Sequence, residues 1–354
     1  MIGPLTIRPA SPVMPSFVLG YNQNAIAGKY GRDMTEGFDI NDFDIVFDRA
    51  KAGGGSIVRI WLFEDCIKEG IDFGRDGKKP LGLRRDFLQN IYKIMQRAQS
   101  KQVKIYWTAL SGNWREEWND RDNRRWRQIH YNILNNRFQS NDDFLFNCLR
   151  PIIEEVLNRD EFRPFIYGFD VMNEFQGSER FWPDPWIDNA CAWIRTTCNV
   201  IRTYANWRLP LTVSAQGKGA GDSFNGSDCI MDYLRDLPLD FYDLHQYNDE
   251  GTIHRVNDLK DLARQTGKKI ILGEFGQRTH RYRNAIKNRS TRNFLANAYH
   301  GGFSGAIAWK LMEKDEEDPD KVFHTFYRNG VERPAVAIVR EFARNASTHS
   351  AQGG

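Results

Sequence analysis

FIYGFDVMNE, residues 165–174, reads as a strand buried on both faces that ends in an amide and a carboxylate, Asn173 and Glu174. Its β-branched and aromatic residues run with little interruption, as expected of a parallel strand covered by helices. KIILGEFG, residues 269–276, has the same form and carries Glu274 near its end, 100 residues after Glu174. A carboxylate at a strand end projects into whatever site the strand ends surround. Two of them, one holding a proton and one attacking, are the minimum equipment for cleaving a glycosidic bond.

Working outward, six further runs have the same character: PSFVLGYN (15–22), SIVRIWLF (56–63), VKIYWTAL (103–110), LPLTVSA (209–215), FYDLHQY (241–247) and GAIAWKL (305–311). Between the runs lie segments of helical period. DINDFDIVFDRAKAGG places Phe43, Val46, Phe47 and Ala50 on one stripe and stops at glycines. RRDFLQNIYKIMQRAQSKQ does the same with Phe87, Leu88, Ile91, Ile94, Met95 and Ala98. Strand and helix alternating eight times predict an α/β chain folded as a single-domain (β/α)8 TIM barrel over residues 1–344. A doubly wound open sheet is the competing arrangement, but it brings a glycine-rich turn after the first strand, where this chain has GYNQNA. The small polar segment 345–354 is expected to be a disordered tail.

Composition narrows the partners. The chain has 354 residues, 41% apolar and 27% charged, with a net charge of +3. That balance lacks the concentrated basic face of a nucleic-acid binder. The one basic stretch, Arg121 to Arg127, contains Asp122 and reads as a solvated helix face. The first twenty residues hold no unbroken apolar run after a basic start, so neither a signal peptide nor a membrane span is expected. A cytoplasmic protein is the expectation, or a secreted one if a signal segment has been removed. The cysteines, Cys66, Cys148, Cys191, Cys198 and Cys229, show no zinc-binding spacing, and Cys191 and Cys198, seven apart on a helical pattern, read as buried thiols. No metal or cofactor is expected. A carbohydrate partner is favoured by the ten tryptophans, whose rings suit flat sugar faces. Oligomeric state stays open.

Several residues stand out as polar or aromatic within runs that otherwise read as core: Arg59, Asn173, His245 and Tyr247 on one face of their strand, and Trp309. Burying them costs free energy unless they bond one another or a ligand. For either glutamate alone, a structural ion pair with a barrel arginine is an equal reading. With these companions the glutamates form a convergent polar site.

The motifs VMNE, GEFG, HQY, VRIW and IAWK, in that assignment to strands four, seven, six, two and eight, resemble clan A of the glycoside hydrolases, most nearly its family five cellulases and mannanases. The resemblance runs from about residue 17 to 311. It implies a retaining hydrolase that cleaves β-glycosidic bonds of a poly- or oligosaccharide, with Glu174 as acid/base and Glu274 as nucleophile. It further implies Asn173 on the sugar 2-hydroxyl, Arg59 and Tyr247 beside Glu274, His245 orienting the acid/base or the sugar, and Trp309 beneath the reacting sugar.

The chain departs from cellulase-like members in YWTALSGNW (106–114), which lacks their strand-three histidine. Asn113 and Trp114 either take part of that role or belong to an ordinary loop. RIWLFED (59–65) is closer to mannanase-like members, with Glu64 and Asp65 either contacting sugar hydroxyls or, as the favoured reading, capping the loop. Trp114, Trp118, Trp182 and Trp186 are equally sugar platforms or loop anchors. Lys310 and Glu313 read as an exposed pair, and the acidic run to Asp320 as a solvated loop. A glycan-binding barrel without hydrolysis is the alternative function. A metal-dependent hydrolase wants clustered histidines, and His245 alone meets that need.

Overall fold

The computed structural model describes residues 17–24, 26, 34–35, 37–63, 70–73, 79–112, 131–134, 143–177, 185–216, 226–277, 284–312 and 325–352, with side chains to 346. Its centre is a parallel barrel. The strands are β1 (Val18–Asn22), β2 (Ile57–Phe63), β3 (Lys104–Ser111), β4 (Ile166–Asn173), β5 (Leu211–Thr212 with Ser214–Ala215), β6 (Phe241–Tyr247), β7 (Lys269–Gly276) and β8 (Gly305–Ala308). Each falls within a run read as a strand from the sequence, apart from a one-residue extension of β3 to Ser111.

Closure of the ring depends on β5. Its first half pairs with β4 through Phe169–Leu211 and Asp170–Thr212, and its second half pairs with β6 through Ser214–Asp243 and Ala215–Leu244. The break at Val213 has a chemical cause. The Ser214 N–H donates to Asp170 Oδ1 at 3.0 Å instead of to a strand carbonyl. The opposite seam closes as β1 pairs with both β2 and β8.

A helical segment follows every strand: α1 (Ile40–Ala52), α2 (Phe87–Lys101), α3 (145–157), α4 (Trp186–Tyr204), α5 (226–234), α6 (Val256–Thr266), α7 (Asn284–His300) and α8 (Pro334–Gln352). In α1 the Asp39 carboxylate accepts the Asn41 N–H at 2.9 Å, satisfying an orphan donor of the first turn. The stripe Phe43, Val46, Phe47 and Ala50 is buried as the period requires. In α2 the same holds except for Leu88, which is half-buried. The helix α8 continues through 345–352, so the polar composition of that segment does not end the helix. None of the helices among the described residues is long and apolar enough to cross a membrane.

The barrel interior is layered. Ile57, Tyr106, Tyr167, Phe241, Ile271 and Ile307, one from each of six strands, form an apolar plug. The rings of Tyr106, Tyr167 and Phe241 pack with centroids 5.8 to 6.0 Å apart. Two residues further along β2 and β6, and three along β4, the interior changes character, and Arg59, Asp170 and Asp243 face inward, all fully buried. Polar side chains are tolerated at that depth only because they satisfy one another.

Four cysteines fall among the described residues. Cys148, Cys198 and Cys229 are buried thiols, while Cys191 is only part-buried; Cys66 lies outside the described residues.

Candidate active site

Arg59 organises the mouth of the barrel. Its Nη1 donates to Glu274 Oε1 at 2.5 Å and to Asn22 Oδ1 at 3.0 Å. Its Nη2 donates to Asp170 Oδ2 at 2.7 Å and to Asn173 Oδ1 at 2.8 Å. The guanidinium plane also lies 4.4 Å from the centre of the Trp61 ring and 5.3 Å from that of Tyr106, a favourable place for a cation. Strands β1, β2, β4 and β7 are thereby tied through one side chain.

Glu274 accepts on both oxygens, from Arg59 on Oε1 and from the Tyr247 hydroxyl on Oε2 at 2.5 Å. Glu174 Oε1 lies 2.9 Å from His245 Nδ1, and the same nitrogen lies 3.5 Å from Glu274 Oε2. His245 therefore stands between the two carboxyls. Ligand atoms of Glu174, His245 and Glu274 all lie within 4.8 Å of one another.

Local backbone places these groups. Glu174 has a left-handed backbone, φ 48°, which costs a non-glycine residue on the order of 1–3 kcal/mol and persists only where surroundings enforce it. Its N–H donates to Ser214 Oγ at 2.9 Å, and its carbonyl accepts the Gly177 N–H at 2.9 Å. On β7 the pairing register shifts between Leu272 and Glu274. The shift is held by Asn22, whose Nδ2 donates to the Gly273 carbonyl at 2.8 Å. A Cβ at Gly273 would fall 1.8 Å from Asp243 Oδ1, and one at Gly276 would fall 3.1 Å from the Tyr247 ring. Both glycines of GEFG thus make room for side chains of β6.

Burial and charge pull these groups in opposite directions. Burial pushes Glu274 above the usual carboxylate range, against the pull of His245 and Arg59, while Glu174 pushes it further up. Burial also pushes Asp170 up, with Arg59 opposing. Burial works against charge on Arg59, but Glu274 and Asp170 outweigh it and hold the guanidinium firmly protonated. For His245, burial is outweighed by Glu274 and Asp243, and the imidazole is pushed up to about 10. Burial and then Glu274 keep the Tyr247 hydroxyl protonated.

Of the residues singled out in the sequence, Arg59, Asn173, Glu174, His245, Tyr247 and Glu274 converge here. Trp309 follows β8 directly rather than lying within it; its N–H donates to the Phe275 carbonyl at 2.9 Å, and its ring meets Trp61 edge-on at 5.6 Å. Asn113 and Trp114 lie outside the described residues, as do Glu64, Asp65, Trp118, Trp182 and Glu313. Trp186 is a loop-and-helix anchor, part-buried against Phe175 with ring centres 6.4 Å apart. Lys310 corrects the expectation of an exposed pair. It is buried, with Nζ 3.3 Å from Asn24 Oδ1 and 6.0 Å from the Trp309 ring. The chain after β8 turns inward under the segment 325–327, whose Phe326 N–H donates to the Lys310 carbonyl at 3.0 Å.

Asn22, Trp61, Asp170, Ser214 and Asp243 were missed from the sequence. Asp170 and Asp243 carried the signal that found Arg59, a charged residue inside an apolar strand run. Asn22 and Ser214 sit at strand ends, where polar residues are ordinary, and carried none.

The trio of Glu174, His245 and Glu274 has the donor spacing of a metal site. Arg59 and Tyr247 already occupy the Glu274 oxygens with N–H and O–H donors, and a fixed cation at 2.5 Å opposes a second one. The arrangement suits proton transfer and nucleophilic attack better than metal ligation.

A search of solved structures finds barrels of the same form. An endo-β-1,4-mannanase from Thermotoga petrophila superposes with TM-score 0.66 at 17% identity, over 95% of this chain and 78% of that one. An endo-1,4-β-mannanase from Rhizomucor miehei gives TM-score 0.66 at 18% identity, over 95% and 96%. The chain shares the fold of the mannanases. A GH5_18 protein from Streptomyces cattleya, in complex with Manβ1-4GlcNAc, gives 0.65 at 13% identity, over 93% of this mannanase-like barrel and 81% of its own chain. No protein-family model and no curated protein matches the sequence.

Proposed function

We propose that this mannanase-like barrel is a retaining β-glycoside hydrolase, with Glu274 as nucleophile and Glu174 as acid/base. The observation that carries the reading is the pairing of two strand-end glutamates, with an oxygen of each within 4.8 Å of the other. An inverting pair stands about 6.5–9.5 Å apart to admit a water, whereas a retaining pair stands about 5–5.5 Å apart. A spacing within 4.8 Å between their oxygens supports the second kind. Two donors on Glu274 favour its ionised form.

In the first step Glu274 forms a bond to the anomeric carbon as the glycosidic C–O bond breaks, and the Glu174 proton passes to the leaving oxygen. Glu274, now an ester, has lost its charge. In the second step Glu174 takes a proton from water, the water oxygen attacks the anomeric carbon, and the ester bond breaks to return the Glu274 carboxylate. Asn173 commits its carbonyl oxygen to Arg59, which leaves its amide N–H to donate to the sugar 2-hydroxyl. Trp309, set against Trp61, supplies a flat apolar surface for the reacting sugar.

The fold shared with β-1,4-mannanases makes β-1,4-linked mannan the first substrate to try. The test is incubation with mannan, mixed β-glucan and xylan, with early product followed by proton NMR. Release of β-anomeric mannose-terminated product is expected. An α-anomeric first product from any of them would overturn the retaining mechanism, and hydrolysis of none would overturn the activity.

A further inference from the structure

One contact in the barrel has no part in the steps above. Asp243 and His245 lie on the same face of β6, and Asp243 Oδ1 stands 3.6 Å from His245 Nε2. Both are fully buried, and among the described residues neither atom has a hydrogen-bond partner. A buried polar atom without a partner costs about 1–3 kcal/mol, so each atom has reason to face the other.

Asp243 is held in place from three sides. The Tyr106 hydroxyl on β3 donates to its Oδ2 at 2.5 Å. Gly273 on β7 leaves the space that its Oδ1 fills. Its own strand pairs with β5 at Ser214 and with β7 at Ile271. The charged groups around the His245–Asp243 pair are Glu174 and Asp170 from β4 and its end, Glu274 from β7 and Arg59 from β2, with Tyr106 from β3 as a neutral donor. The surroundings hold Asp243 ionised: burial works upward, but His245 and then Arg59 and Tyr106 bring its carboxyl below the usual range.

Resting on the glycosidase reading, we infer that Asp243 is a positioning residue that keeps His245 protonated on both ring nitrogens, so that Nδ1–H is presented to both glutamates. The negative charge of the site passes from Glu274 to Glu174 when the ester forms, and returns when water cleaves it. A cation 2.9 Å from one carboxyl and 3.5 Å from the other serves the charge at either end of that exchange. A neutral imidazole bonded to Asp243 through Nε2–H would instead turn a lone pair toward Glu174.

The test uses the full chain labelled with 15N-histidine, with the His245 resonances assigned by His245→Gln. Both ring nitrogens are expected to show protonated shifts at pH 7 and to lose the second proton only toward pH 10. In Asp243→Asn the titration is expected to fall by at least about one pH unit. The same variant should lower kcat by about 10-fold or more, up to the ~10²–10⁴-fold that a correctly protonated acid–base group contributes, with KM changing less than about 3-fold. A His245 that is neutral at pH 7 in the unmodified protein overturns the inference, as does a titration unmoved in Asp243→Asn. The unmodified titration can overturn the inference even if the variant does not fold. It also separates the two ideas, since absence of hydrolysis defeats the glycosidase reading while the NMR reads the Asp243–His245 contact without turnover.

Discussion

The Arg59 Nη1 lies 2.5 Å from Glu274 Oε1, and the same guanidinium lies 2.7 Å from Asp170, all three side chains buried. Two carboxylates thus share one cation in a medium that repels all three charges when apart. Breaking a buried pair by removing one partner costs about 3–5 kcal/mol, because the remaining charge is left uncompensated. Arg59→Met is therefore expected to lower stability by about that amount and to abolish turnover. Urea unfolding of the variant beside the parent measures it, and a loss below 1 kcal/mol would show that the carboxylates find other partners.

The two glutamates should respond differently to amide replacement. Glu274→Gln replaces the attacking carboxylate with a neutral amide, and kcat is expected to fall by about four orders of magnitude or more on every substrate. Glu174→Gln removes only the proton donor from the first step. Its first step should be nearly intact on dinitrophenyl glycosides, whose leaving group needs no proton, and severely slowed on the polysaccharide. Burst kinetics on the aryl substrate distinguish the two, and equal loss on both substrates would remove the acid/base role from Glu174.

The acidic limb of the pH profile follows from the Glu274 environment. Burial raises its pKa above the usual carboxylate range, so the ionised nucleophile is reached only at a higher pH than for an exposed glutamate. kcat/KM is expected to climb through a midpoint above about 4.5 and to drop as pH falls through it. Linkage gives the opposite sign for stability. A carboxyl whose folded pKa is raised contributes most below its unfolded value and loses that contribution as pH rises through the folded one. A kcat/KM midpoint below 4 would show that Arg59 and Tyr247 overcome burial.

Gly273 precedes the nucleophile candidate for a steric reason. A methyl group there would meet Asp243 Oδ1 at 1.8 Å, and the buried aspartate is held by the Tyr106 hydroxyl. Gly273→Ala is expected to destabilise the protein by about 1–3 kcal/mol or more, seen as a lower Tm, and to displace Glu274 from Arg59. An unchanged Tm would mean that the register shift on β7 relaxes freely.

Much of the barrel was legible in the chain. The runs containing Arg59, Glu174 and Glu274 are apolar on both faces because helices cover one and the interior fills the other, and no amphipathic alternation obscures them. The break at Val213 was not legible, since it arises from Asp170 on another strand capturing the Ser214 N–H. Lys310 was misread for a related reason. A lysine after a strand is exposed by default, and only the return of residues 325–327 over it reverses that. Trp186 was ambiguous until Phe175 was seen beside it.

The amino-acid order alone determined the strand and helix period, and with it the barrel and the two carboxylates at strand ends. Those properties are local, set by side-chain burial along each segment. Tertiary structure alone decided what lies between the carboxyls. The positions of His245 between Glu174 and Glu274, of Arg59 across four strands, and of Asp243 behind His245 depend on distances between residues far apart in the chain. Burial then sets the charge each of them carries, because the energy of a charge depends on everything packed around it.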